Sequence, residues 1–208
     1  EKLRPDLAGF ITLPFHYSTD GIEKSNLRTK LFAIIKIMNK LSLDIWSEWD
    51  ILWSKMRNEF FKVESLQTYQ EESTSLDMWK RGDKLQSIEM MYKDFHKLSL
   101  PNTKKSVQKI RIRIVDEPYS DYIEWELEVY KLVNIPIGGE EVYIVNRKDI
   151  PNYTIGDFMM FDETSVARPI YDNKGALSKI ETYRNNQMQK FIQAKYLLIN
   201  NANRLNDV

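Results

Sequence analysis

Hydrophobic positions recur along this chain in two rhythms, and the change from one to the other marks its elements. After Ser25, residues Leu27, Leu31, Ile34, Ile35 and Met38 return every three or four positions, which places them on one face of a helix. Ser42 offers a cap for a second helix, in which Ile45, Trp46, Trp49, Leu52, Trp53, Met56 and Phe60 form a stripe. A third run, Leu85, Ile88, Met91, Tyr92, Phe95 and Leu98, predicts a helix that ends before Pro101. Between them, residues 61–69 fit a short strand or a helix end, and residues 71–76 read as a polar loop. Residues 77–80 are ambiguous ahead of the break at Gly82.

The rhythm then shortens. Ile110, Ile112 and Ile114 alternate with Arg111 and Arg113, the period of a strand with one apolar face. Further strands are predicted at 141–145, 157–161, 165–171 and 176–180, with Asp172-Asn173-Lys174-Gly175 as the turn between the last two. The stretch after Pro118 fits either period. A helix is favoured, because Pro118 suits a first turn and Asp121 with Glu124 resembles a capping box. A closing helix spans roughly residues 186–203, with Met188, Phe191, Ile192, Leu198, Ile199 and Ala202 facing inward. Together these elements predict an α/β or α+β domain over residues 61–208, with a mixed sheet of about five strands flanked by helices. An N-terminal arm and helical extension, residues 1–60, would precede it; its first 26 residues carry the breakers Pro5, Gly9, Pro14 and Gly21.

Composition narrows the chemistry. The chain has 208 residues, 42% hydrophobic and 29% charged, with a formal net charge of zero, as a soluble globular protein would have. Neutrality argues against a dedicated nucleic-acid coat or a polybasic membrane anchor. The chain contains no cysteine, which excludes disulfides, thiolate metal sites and cysteine nucleophiles. His16 and His96 are its two histidines; the first is read as a packed or turn residue and the second as a surface or capping residue.

One stretch concentrates charge. Lys104, Lys105, Lys109, Arg111 and Arg113 are followed by Asp116, Glu117, Asp121, Glu124, Glu126 and Glu128. Two solvated faces that neutralise each other would explain the pattern. The sharper reading turns Arg111 and Arg113 toward a cleft, where two guanidinium forks would hold a phosphate or carboxylate. Glu126, among Tyr122, Trp125 and Tyr130, would then need a partner, and the two arginines are the nearest source. Arg111, Arg113, Tyr122 and Glu126 are accordingly the candidate ligand-binding residues. Gly138-Gly139 precedes a strand and is a turn, not a phosphate loop. Asp157 and Asp162 bracket a strand, where turn capping is favoured over magnesium binding. No cofactor is called for.

The runs EPYSDYIEWE (117–126), GEEV (139–142) and DFMMFD (157–162), with FKVESLQTY (61–69) upstream, resemble an uncharacterised bacterial domain family. Its members look like stand-alone cytoplasmic proteins, often encoded beside helix-turn-helix regulators. The resemblance implies a fold and a genomic setting but no activity. A looser, fold-level likeness is to phospholipase D-like domains. Their HxKxxxxD motif is absent, since His16 is followed by Tyr17-Ser18 and His96 by Lys97-Leu98, so a shared fold would be inactive in that chemistry.

The sequence thus predicts a cytoplasmic, non-enzymatic regulatory or interaction module, binding a protein partner such as a helix-turn-helix regulator or a small anionic ligand. A homodimer contact is a further expectation, whereas membrane association and direct nucleic-acid binding are not expected. The competing reading is a metal-dependent hydrolase or nucleotide-processing enzyme using Glu126, Asp157 or Asp162.

Overall fold

A computed structural model of the chain describes residues 51–70, 73–99 and 106–207. The N-terminal arm with His16, the first predicted helix, and Trp46 and Trp49 of the aromatic stripe lie outside these residues. Residues 51–55 are helical, but the stripe does not run on to Phe60 as predicted. Phe60 belongs instead to strand β1, Glu59–Glu64, which starts just ahead of the boundary read at residue 60.

Among the described residues, seven strands form one mixed sheet, so the expected α/β architecture is present with two strands more than predicted. After β1 come helix α1 (Thr74–Lys80), helix α2 (Lys84–Asp94, continued by a wider π turn, Phe95–Ser99) and β2 (Gln108–Val115). Helix α3 (Asp121–Val129) likewise runs into a π turn (Tyr130–Asn134) before β3 (Glu140–Asn146). Then follow β4 (Phe158–Phe161), β5 (Ser165–Tyr171), β6 (Leu177–Arg184), α4 (Gln189–Asn200) and the short β7 (Asn203–Arg204). The strand order is β6-β5-β4-β1-β2-β3-β7. β1, β2 and β3 are parallel; β4, β5, β6 and β7 each join antiparallel.

Alternation decides which side chains meet which layer. Phe61, Val63, Ile110, Ile112 and Ile114 lie on one face with Phe158, Met160 and Val166, against Phe191, Ala194 and Leu198 of α4. Ile199, predicted to face inward, is 38% exposed, while Lys195 on the same helix is buried. The opposite face meets α1, α2 and α3 through Val115, Val142, Ile144, Leu76, Trp79, Ile123, Leu127 and Val133. That second face also carries the alternate positions of β1 and β2, which are charged.

Local signals account for the remaining differences. The segment read as a loop at 71–76 is already helical from Thr74, because Ser73 caps α1 by accepting from the Leu76 N–H. Ser120, not Asp121, caps α3: its hydroxyl accepts from the Ile123 N–H, and Pro118 therefore lies outside the first turn. The β5–β6 turn is as expected, with Gly175 at φ +83° and the Asp172 carboxylate accepting from the N–H groups of Lys174 and Ala176. No described helix is long and apolar enough to cross a membrane.

Candidate functional site

The charged face of the sheet is built by parallel pairing. Register sets Lys62 beside Arg111 and Glu64 beside Arg113, all pointing toward the helices. Arg111, on β2 between β1 and β3, reaches diagonally to both neighbours. Its Nη1 donates to Glu64 Oε2 at 2.7 Å, and its Nε donates to Glu140 Oε2 at 2.7 Å. Lys62 Nζ completes the row at 2.5 Å from Glu64 Oε1. The C-terminal part of α3 and its π turn cover this row, where the Tyr130 hydroxyl donates to Glu64 at 2.7 Å and Asn134 Nδ2 to Glu140 at 3.2 Å. The Arg111 guanidinium lies 4.7 Å from the Tyr130 ring centroid, a cation–π contact within the same layer. Lys109 Nζ donates to the Gly138 carbonyl at 2.5 Å.

Arg113 stands one alternation further along β2. Its Nε donates to Glu126 Oε2 of α3 at 2.6 Å, and its Nη1 makes a long contact, 3.4 Å, with the Ile114 carbonyl. Its Nη2 is buried without a hydrogen-bond partner among the described residues. Of the four predicted binding residues, Arg113 and Glu126 therefore meet directly. Arg111 pairs instead with Glu64 and Glu140, and Tyr122 packs its ring against Tyr69 and Trp125, 6.0 and 5.5 Å away. All four are buried.

The electrostatics follow from burial among opposite charges. Burial opposes ionisation of Glu64, but Arg111, Lys62 and Arg113 outweigh it and hold its carboxyl well below the usual carboxylate range. Burial likewise disfavours charge on Arg111 and Arg113. Glu140 and Glu64 around the first, and Glu126 beside the second, more than compensate, so both remain protonated. Lys62 is pushed down, first by burial and then by Arg111.

The other candidate acids are taken up locally. Asp157 Oδ1 accepts from the Ser65 N–H and hydroxyl at 2.7 and 2.6 Å, and its Oδ2 from the Tyr69 hydroxyl at 2.6 Å. Asp162 accepts from the N–H groups of Arg57, Asn58 and Glu59 at 2.7–2.8 Å. The two aspartates sit at opposite ends of β4, beside opposite ends of β1. At roughly 3.3 Å per residue, five residues of extended chain separate them by about 16 Å, too far to share one ion. Among the described residues, no group of three histidine or acidic side chains could hold a metal ion.

A family model for a domain of unknown function, DUF6879, matches residues 47–207. The chain belongs to that family. No curated protein matches the sequence. Among solved structures, the chain is similar to TrmBL2, described as an archaeal chromatin protein that shows a novel mode of DNA binding, at 9% identity and a TM-score of 0.39. The similarity covers 86% of this chain, which spans 63% of that protein.

The DUF6879 match contains the whole sheet and every residue of the ion network. Several members of that network were not legible as such in the sequence. Glu64 and Glu140 lie 47 and 29 residues from Arg111, and only parallel pairing brings them together. The available signal was Lys62 and Glu64 alternating with Phe61 and Val63, the period of a strand. His96 lies on the π turn of α2, half-buried, with its ring 4.4 Å from Tyr92.

Proposed function

We propose that this DUF6879 protein is a non-enzymatic regulatory or interaction module of the bacterial cytoplasm. Its partner is a protein of the helix-turn-helix regulator type, and its binding region is organised by Arg111, Arg113, Tyr122 and Glu126. The observation that carries this reading is the employment of the acids. Glu126 pairs with Arg113, Asp157 ties down the chain leaving β1, and Asp162 caps the chain entering it. A metal-dependent hydrolase built on these three would have to break each contact, and its two aspartates stand at opposite ends of a strand.

The ion network fastens the helical layer from beneath and leaves its outer surface open to solvent. Leu85 and Tyr92 of α2 and Leu132 of the α3 extension are 72%, 46% and 49% exposed. These apolar side chains are where we place the protein contact. The test is titration of a purified helix-turn-helix regulator, with wild type compared with a Leu85→Asp, Leu132→Asp variant. Saturable binding that the variant weakens about tenfold or more, with melting unchanged, supports the module. Failure to bind, together with divalent-metal-dependent hydrolysis that Glu126→Gln abolishes, supports the enzyme.

A further inference from the structure

The carboxyl ends of parallel strands are where α/β sheets most often receive ligands. In this sheet those ends are crossed by the segment that leaves β1. Gln67 fastens it, its Nε2 donating to the carbonyls of Ser65 and Ile114 and its Oε1 accepting from the Asp116 N–H. Further on, the Gln70 N–H donates to the Gly175 carbonyl. Between these two fastenings Tyr69 turns its ring over Arg113, 5.6 Å from the guanidinium carbon. Tyr122 and Tyr171 flank that ring at 6.0 and 5.3 Å, and Asp157 accepts its hydroxyl proton. The phenol thus occupies a cage with a cationic floor, aromatic walls and a carboxylate acceptor.

The cage is incompletely satisfied. Arg113 is wholly buried, yet among the described residues its Nη2 has no acceptor. A buried donor left unbonded is unfavourable, and more so on a charged group. Tyr69 covers the guanidinium with a ring face but offers that nitrogen no oxygen.

We propose that the cage is a small-molecule site occupied by Tyr69 of the chain itself, and that its ligand is an uncharged planar heteroaromatic ring of the nucleobase type. Such a ring replaces the phenol between Tyr122 and Tyr171, offers a carbonyl or ring nitrogen to Arg113 Nη2, and donates an N–H to Asp157. Charge balance selects an uncharged ligand. Arg113 is already paired with Glu126, and Glu64 and Asp157 stand nearby, so an anion would add negative charge among three carboxylates. The inference rests on the non-catalytic reading above and adds a ligand to it.

Trp125, packed 5.5 Å from Tyr122, reports on the cage. Adenosine, guanosine, cytidine and uridine are titrated separately against wild type and Tyr69→Ala while tryptophan emission is followed, with Trp125→Phe identifying the signal. Self-occupancy lowers apparent affinity by the fraction of time the cage is closed. At least one nucleoside should therefore bind Tyr69→Ala saturably and roughly tenfold or more tighter than wild type, and Asp157→Asn should weaken it. If Tyr69→Ala fails to melt cooperatively, Tyr69→Phe, which keeps the ring but loses its bond to Asp157, should show the same direction with a smaller gain.

No saturable binding by any of the four nucleosides to either Tyr69 variant overturns the proposal. Equal affinities in wild type and variant, or inorganic phosphate binding in their place, also overturn it. Regulator binding is measured on the same samples. If it persists while all nucleosides fail, the site is wrong and the interaction module stands. If hydrolysis of a nucleotide appears instead, the non-catalytic reading fails with it.

Discussion

Arg113 of β2 and Glu126 of α3, thirteen residues apart in sequence, meet with Nε and Oε2 at 2.6 Å in the interior of the protein. The contact joins the middle of the sheet to the helix that covers it. Together with the Lys62–Glu64–Arg111–Glu140 row, it makes the buried charges of β1, β2, β3 and α3 an internal fastening. Buried pairs of this kind contribute little net stability against an apolar replacement, but each partner depends heavily on the other.

The turn between β4 and β5 gives an independent test of local strain. Asp162 and Glu163 both adopt positive φ, 50° and 54°, where a side chain costs about 1–2 kcal/mol relative to glycine. Glu163 is held there by Lys195 of α4 at 2.7 Å. Glu163→Ala should lose the ion pair and keep the strain, whereas Glu163→Gly should lose both. Urea denaturation should therefore find the Gly variant more stable than the Ala variant by about 1 kcal/mol. The reverse order would mean that the turn carries no strain.

Close approach of backbone explains Gly138. A Cβ there would stand 2.6 Å from the Asn134 carbonyl oxygen and 2.9 Å from Phe95 Cζ, between the π turns of α2 and α3. Gly138→Ala should destabilise by about 1–3 kcal/mol, as overpacked cores do. Gly82→Ala makes the comparison, because its Cβ would meet nothing within 4 Å and only its φ of +91° opposes the change. A melting temperature unchanged in Gly138→Ala would contradict this packing.

Acid should unfold the domain through named groups. Slight burial of Asp162 is outweighed by the N–H groups of Glu59, Asn58 and Arg57, which lower its pKa; burial of Glu64 is likewise outweighed by Arg111 and Lys62, which hold it well below the usual carboxylate range. Both are depressed in the folded state, so the unfolded chain binds more protons just below its own carboxylate pKa. Stability from these groups is present above about pH 4 and is lost as pH falls through the folded values. Asp162→Asn should reduce proton uptake on unfolding in that window. An unaltered pH dependence would show that the contacts to Arg57, Asn58 and Glu59 do not form.

How much of this could be read from the sequence depends on the distance over which each signal acts. The alternation of Ile110, Ile112 and Ile114 declares β2, and the Asp172–Gly175 turn declares the last hairpin, because both are local. The β1 segment reads equally as a strand or a helix end, since Lys62 and Glu64 look like solvent positions and are buried. Their burial depends on Arg111, which no nearby residue announces. Glu126 needed a partner and Arg113 supplied it, a pairing that fits a strand joined directly to the following helix. β7 is two residues long, too short for any periodic signal.

The central claim, that Arg113 and Glu126 hold the fold and do no chemistry, is tested most directly by a double-substitution cycle read in urea. Glu126→Leu and Arg113→Met should each cost about 3–5 kcal/mol, because each strands a buried charge, and the double substitution should cost much less than their sum. Active-site residues behave in the opposite way, since replacing them commonly relieves strain and raises stability. A Glu126→Leu protein as stable as wild type or more stable, with additive effects in the double, would contradict the account.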